Sequence, residues 1–222
     1  MDPRVTVLMR NMVGPNSTTV QRDSTRMLVT LLATAILMTC NSHSTMQAQE
    51  MPVPIQAQAS LLFRIAEFDR NLVAGVGHEI VIGILYQPRF RESSNARHEL
   101  ASILHGRATI AGVPVRYVAV ELSEVPGLRD VLLRDSVDVL YITPLRAQPV
   151  REITAVTRDI AVVTWTGVPE YVSRGVAVGI GDLGGRPRIL VNSNAARLEG
   201  AAFSSELLKL ATIVVENHDL QE

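Results

Sequence analysis

Three regimes of hydrophobic pattern follow one another along the chain. Met27–Met38 is an uncharged apolar run (MLVTLLATAILM) that gives way at once to polar Thr39–Thr45. From Val53 to Phe68 the apolar positions Ile55, Ala59, Leu62, Phe63, Ile65, Ala66 and Phe68 recur near helical spacing, which predicts an opening helix packed on one side. Beyond it the period shortens. Glu79–Tyr86, Val113–Val120, Val137–Thr143 and Ile160–Thr166 are short β-branched runs, several apolar at successive positions, as strands buried on both faces are. Between them Ser94–His105, Pro126–Arg134 and Gln148–Arg158 carry apolar residues at helical intervals. Strand alternating with helix predicts βαβ units, right-handed crossovers and a sheet covered on both faces.

The last quarter departs from that rhythm. Val176–Ile180 and Arg188–Asn192 flank Gly181-Asp182-Leu183-Gly184-Gly185-Arg186-Pro187, which predicts an antiparallel hairpin. Ala195–Glu216, with Asn194 as its cap and an apolar stripe including Leu198, Leu207, Leu210 and Val214, reads as one long closing helix. The expected fold is therefore α/β: a three-layer sandwich with a mainly parallel sheet of about six strands, a C-terminal β-hairpin and a long closing helix.

The first apolar run changes the compartment. Arg22 and Arg26 precede it as the basic flank of a secretion signal would, and the run is well short of the roughly 20 apolar residues of a membrane span. Residues 1–48 are thus read as an N-terminal tail and export signal, and residues 49–222 as one α/β domain. Cys40, the single cysteine, lies directly after the run. Thr39 before it is a poor match to a lipoprotein signal, so cleavage near Ala48 into a periplasmic mature chain is preferred to lipid attachment at Cys40. On either reading the domain itself holds no disulfide.

Charge adds little: the net charge of −1 supplies no basic face for nucleic acid. The segment Gly179–Gly184 matches G-x-G-x-x-G after a strand, but Pro187 and the apolar run behind it continue as a strand where a dinucleotide site needs a helix. The histidines that would remain after export, His78, His98, His105 and His218, show no metal-ligand spacing, and no G-x-S-x-G elbow is present. No cofactor, metal or catalytic set is expected. Glu121 and Glu124 lie near a strand end, where open α/β sheets hold ligands, though solvated loop charge is the commoner use. The same logic draws attention to the turns at Tyr86-Gln87-Pro88, Thr143-Pro144 and Thr166-Gly167 as a rim for a partner or ligand, with plain strand termination as the competing reading. Trp165 and Tyr171 fit either an aromatic anchor for a partner or the core.

With these elements laid out, the segment from Ile189 to Ala211 resembles the YfiR/HmsC-like family. The features that carry the resemblance are Asn192, Ala195-Ala196, Gly200, Ser204-Ser205 and Leu207–Ala211, together with Phe68, Ile82–Leu85 and Val137–Ile142 upstream. The resemblance covers about Val53 to Val215. It implies a small periplasmic α/β domain that is not an enzyme and that represses a membrane-bound diguanylate cyclase by binding the extracytoplasmic part of that inner-membrane protein. A second copy of the chain is the other partner considered. The family's redox control through cysteines is not expected here, because the mature chain has none. From a different class, a solute-binding domain with its ligand at the strand-end rim is the alternative.

Overall fold

A computed structural model of the chain describes residues 50–75, 77, 79–105, 109–146 and 150–216. The export signal, Cys40, His78 and His218 lie outside the described residues. Ile55–Glu67 forms α1, whose apolar stripe Ile55, Ala59, Leu62, Phe63 and Ala66 is buried as its spacing predicts. A short helix absent from the pattern, α2 (Arg70–Gly75), follows, and Asp69 Oδ1 accepts from the Asn71 and Leu72 amides at its start. The run IVIGILY becomes β1 (Ile80–Tyr86), buried at six successive positions because the sheet is covered on both sides. Then come α3 (Arg91–His105), β2 (Thr109–Ile110), β3 (Val113–Glu121), α4 (Leu128–Arg134) and β4 (Val139–Ile142). The chain continues through α5 (Val150–Asp159), β5 (Val163–Thr166), a 3-10 turn at Pro169–Arg174, β6 (Val178–Asp182) and β7 (Pro187–Val191).

The strands form one sheet in the order β2-β3-β1-β4-β5-β6-β7, with Thr212–Ile213 added beyond β7 as β8. The six expected strands are all present, and the two short edge strands β2 and β8 raise the number among the described residues to eight. Pairing is parallel from β3 through β6 and between β7 and β8, and antiparallel at β2–β3 and β6–β7. Alternation along the strands sends Ile80, Ile82, Ile84, Tyr141 and Trp165 to one face, against α1 and α3. Val81, Leu85, Leu140 and Ile142 go to the other, against α4, α5 and the 3-10 turn. The result is three layers.

The predicted β6–β7 hairpin is present. Gly184 and Gly185 both have positive φ (61° and 79°), the signature of a two-residue type I′ loop, and Leu183 and Arg186 exchange both backbone hydrogen bonds across it (2.9 and 3.3 Å). The G-x-G-x-x-G match is a hairpin turn.

The long closing helix is not observed. The segment breaks into α6 (Ser193–Leu198), α7 (Ser205–Leu210) and the edge strand β8. Gly200, at φ 84°, ends α6: its amide bonds Arg197 O and the Ala201 amide bonds Ala196 O, the paired closure of a Schellman motif. Ser204 restarts the helix by accepting from the Leu207 amide, and the β-branched Thr212-Ile213 then extends beside Leu190-Val191. The cap of α6 is Asn192, two residues before the expected Asn194. Its Oδ1 accepts from the Ala195 amide at 3.0 Å while its Nδ2 donates to Val172 O at 3.1 Å.

Candidate functional site

Strand order fixes where a site can form. Leaving aside the edges, β3-β1-β4-β5-β6 is the 2-1-3-4-5 arrangement, in which the chain leaves β1 in one direction and returns to its other side for β4. The loops at the carboxyl ends of β1 and β4 therefore diverge, and a crevice opens between them. Here an open cleft of about 570 Å³ occupies that position. One wall is the β1–α3 loop Gln87–Phe90, the second is Glu121–Ser123 at the end of β3, and Arg146 after β4 closes the third side.

From Gln87 a directional relay of hydrogen bonds runs into the interior. The Gln87 amide donates to Ser93 Oγ (2.8 Å), Ser93 Oγ lies 2.6 Å from Thr143 Oγ1, and Thr143 Oγ1 donates to Leu85 O (2.8 Å). Because the Thr143 proton is taken by Leu85, Ser93 must be the donor to Thr143. Both hydroxyls are completely buried, so the relay ties the end of β1, the start of α3 and the end of β4 into one rigid base. Gln87 adds a clasp, its Oε1 accepting from the Arg146 amide at 2.8 Å. Two guanidinium groups lie over aromatic rings, Arg146 over Phe90 at 5.4 Å in the cleft wall and Arg97 over Tyr86 at 4.9 Å outside the lining.

The six expected rim residues divide sharply. Gln87 is half-buried and lines the cleft; Tyr86, half-buried beside it in the chain, is not part of the lining, and Thr143 is fully buried, bonded to Ser93. Thr166 is fully buried, donating to Ile142 O and accepting from the Val168 amide, so it pins the β5 turn without reaching the surface. Trp165 is 2 % exposed, packed in the α1–α3 layer, and Tyr171 is buried in the opposite layer. Its hydroxyl accepts from the Leu145 amide at 2.9 Å, and burial pushes the phenol up to about 12. Both aromatic residues are core. They do not share a surface, because Trp165 is buried in one core layer and Tyr171 in the other.

Glu121 does reach the cleft. Pro88 of the expected turn lines it too, and Arg89, Phe90, Leu122, Ser123 and Arg146, which complete the lining, carry no periodic signal. Their only mark in the sequence is that each follows the carboxyl end of a strand. His98 lies exposed on α3, its ring within 2.7 Å of Ser94 O and 2.6 Å of an Arg97 nitrogen. Among the described residues no three His, Cys, Asp or Glu side chains stand together as metal ligands, and no helix is long and apolar enough to cross a membrane.

A second, smaller cleft of about 280 Å³ lies at the opposite end of the sheet, lined in part by Asp69, Asp138 and Glu199. Glu199, completely buried, accepts from the Thr164 amide (2.8 Å) and from the hydroxyls of Thr164 and Thr157. Burial outweighs these donors and raises its carboxyl to about 7.

Solved structures share this fold at low identity. A ligand-free, open substrate-binding protein with adhesive properties, CD0873 from Clostridium difficile, aligns at 14 % identity and TM-score 0.53 over 74 % of this chain and 61 % of its own. A conserved domain protein from Vibrio cholerae gives 14 % and 0.53 over 72 % and 60 %, and an ABC domain in complex with L-Trp from Streptococcus pneumonia gives 14 % and 0.51 over 73 % and 62 %. The chain thus spans less than two thirds of each of those proteins. No curated protein matches it in sequence. The YfiR/HmsC-like family model matches residues 55–212, from the first turn of α1 to the start of β8, and the chain belongs to that family.

Proposed function

We propose that the chain is a periplasmic regulatory protein that represses a membrane-bound diguanylate cyclase by contact with that enzyme's extracytoplasmic domain. The observation that carries this reading is the family match across 55–212, which takes in nearly every described element. Deleting the gene is expected to raise cellular cyclic-di-GMP, and the intact gene supplied in trans to restore it. Unchanged cyclic-di-GMP on deletion overturns the reading.

One observation favours a second reading, a domain that binds a small solute. The cleft stands at the strand-order reversal where open α/β sheets take ligands, and its volume of about 570 Å³ falls in the range of small-molecule sites. Two of the structural neighbours are described as a substrate-binding protein and as a complex with L-Trp. Arg89 and Arg146 against Glu121, with Phe90 and Leu122 alongside, would suit a small molecule that bears charge and an apolar part. A thermal-shift screen of the purified domain against amino acids and small organic acids tests this. A ligand at 100 times its Kd stabilises the native state by about 2.7 kcal/mol. A melting point unmoved by every compound rejects the solute reading.

A further inference from the structure

The β6–β7 hairpin ends in a feature that neither cleft nor core uses. In the register Gly181↔Arg188, Leu183↔Arg186, paired residues point to the same face, so Leu183, Arg186 and Arg188 form one patch. Gly181 contributes no side chain to that face. The result is an open notch of about 590 Å³ bordered by Leu183, Arg186, Pro187 and Arg188. Leu183 is 60 % exposed, and both arginines are exposed. Among the described residues neither guanidinium has a carboxylate partner, although Arg116, Arg129, Arg134 and Arg158 elsewhere in the domain each have one.

The display is rigid. The type I′ loop closes with both Leu183–Arg186 hydrogen bonds, and Asp182 Oδ2 accepts from the Gly185 amide at 3.0 Å. A fixed apolar tip flanked by two uncompensated cations is preorganised, so little ordering entropy opposes its docking. Charge complementarity selects an acidic surface, and the Leu183 side chain selects one with an apolar depression. A protein surface offers both together. A single leucine with two arginines falls far short of the wide apolar face or second anchoring signal that attachment to a bilayer takes.

We propose that the hairpin tip is a docking element for an acidic protein surface, with Leu183 seated in an apolar depression and Arg186 and Arg188 paired to carboxylates at its edge. The assignment rests on the reading of the chain as a regulator acting by contact, and its partner is the extracytoplasmic part of the signalling protein. The test uses the full-length chain in a strain deleted for its gene. Leu183→Asp combined with Arg186→Glu and Arg188→Glu is expected to leave cyclic-di-GMP at the deletion level, since reversing charges at a desolvated contact lowers affinity by about 100-fold. Thermal unfolding of the purified triple variant is expected to match that of the parent, because none of the three side chains is buried.

A photo-crosslinking residue at position 183 is expected to give a protein adduct in cells that disappears with Arg186→Glu and Arg188→Glu. Full restoration of cyclic-di-GMP by the triple variant overturns the proposal. So does the absence of any protein adduct from position 183. Two other results also overturn it by naming a different occupant: binding of the parent but not the variant to phosphatidylglycerol vesicles, or a parental dimer that the variant converts to monomer by light scattering. Unchanged cyclic-di-GMP on gene deletion is the separate failure of the regulatory reading, and the crosslink then still decides whether the tip docks on protein.

Discussion

Raising the pH from about 4.5 to above 7 is expected to cost the domain about 3 kcal/mol of stability through Glu199 alone, and Glu199→Gln to remove that loss. Glu199 caps the end of α6 and receives the Thr164 amide and the Thr164 and Thr157 hydroxyls, but it is completely buried. Arg158 is the cation that acts on it, and that guanidinium is already bonded to Glu216 and Gly175 O. The sign follows from proton counting. Below the ordinary value of 4.5 both the native and unfolded chains hold the proton; between 4.5 and about 7 the native chain alone does, so stability falls as pH rises. Above that range both states are ionised and the loss is complete.

The measurement is urea unfolding of parent and Glu199→Gln at half-unit pH intervals, reading the difference between the two stability curves. Taking the difference isolates Glu199 from Asp138, whose carboxyl burial also raises, and from Asp135, which Arg134 lowers. Parallel curves from pH 4 to 8 would reject the assignment. The titrating group lies at the α6 end of the fold, at the opposite end of the sheet from the main cleft.

The second large effect concerns Trp165. Trp165→Ala is expected to destabilise the domain by 3–5 kcal/mol, a large share of the 5–15 kcal/mol typical of a domain. The indole lies in the layer between the sheet and α1 and α3, against Ala59, Leu62, Phe63, Ile82, Leu100, Leu104 and Tyr141, where the residual void is only about 10 Å³. Side chains from several elements meet there, so the space left by truncation cannot collapse easily. Trp165→Phe is expected to cost within about 1.5 kcal/mol, because it keeps an aromatic ring and removes the indole N–H, a buried donor without an acceptor among the described residues. Since Trp165 is the chain's only tryptophan, its fluorescence follows the same event, with shielded emission when native and exposed emission in urea. Native emission open to a soluble quencher would contradict the core placement.

Some of this was legible before any coordinates. IVIGILY at 80–86 announced a strand buried on both faces, and the alternation of such runs with helical stripes announced a parallel sheet under two helical layers. The glycine-rich stretch Gly181–Pro187 between two extended runs announced the antiparallel hairpin, while its two-residue type I′ loop was seen only in the structure. The closing helix was misread because its apolar residues keep helical spacing on both sides of Gly200. A left-handed glycine outweighs that spacing, and it could have been weighed, since Gly followed by Ser at 204 is a stop and a new cap. β2 and β8 escaped because two residues are too few to show a period.

Sequence by itself thus determined the main strands and the helices between them, the faces that turn inward and the family, because these depend on neighbours three or four positions away and on motif order. Tertiary structure decided the rest. The main cleft joins residue 87 to residues 121 and 146, and the buried relay behind Gln87 joins Ser93 to Thr143 across 50 positions. Those meetings follow from the order of strands in the sheet, which no window of the sequence contains. The same holds for Trp165 and Tyr171, assigned to opposite layers by the strand and turn that carry them. It holds also for Glu199, whose proton affinity is set by the removal of water around it and not by its place in the chain.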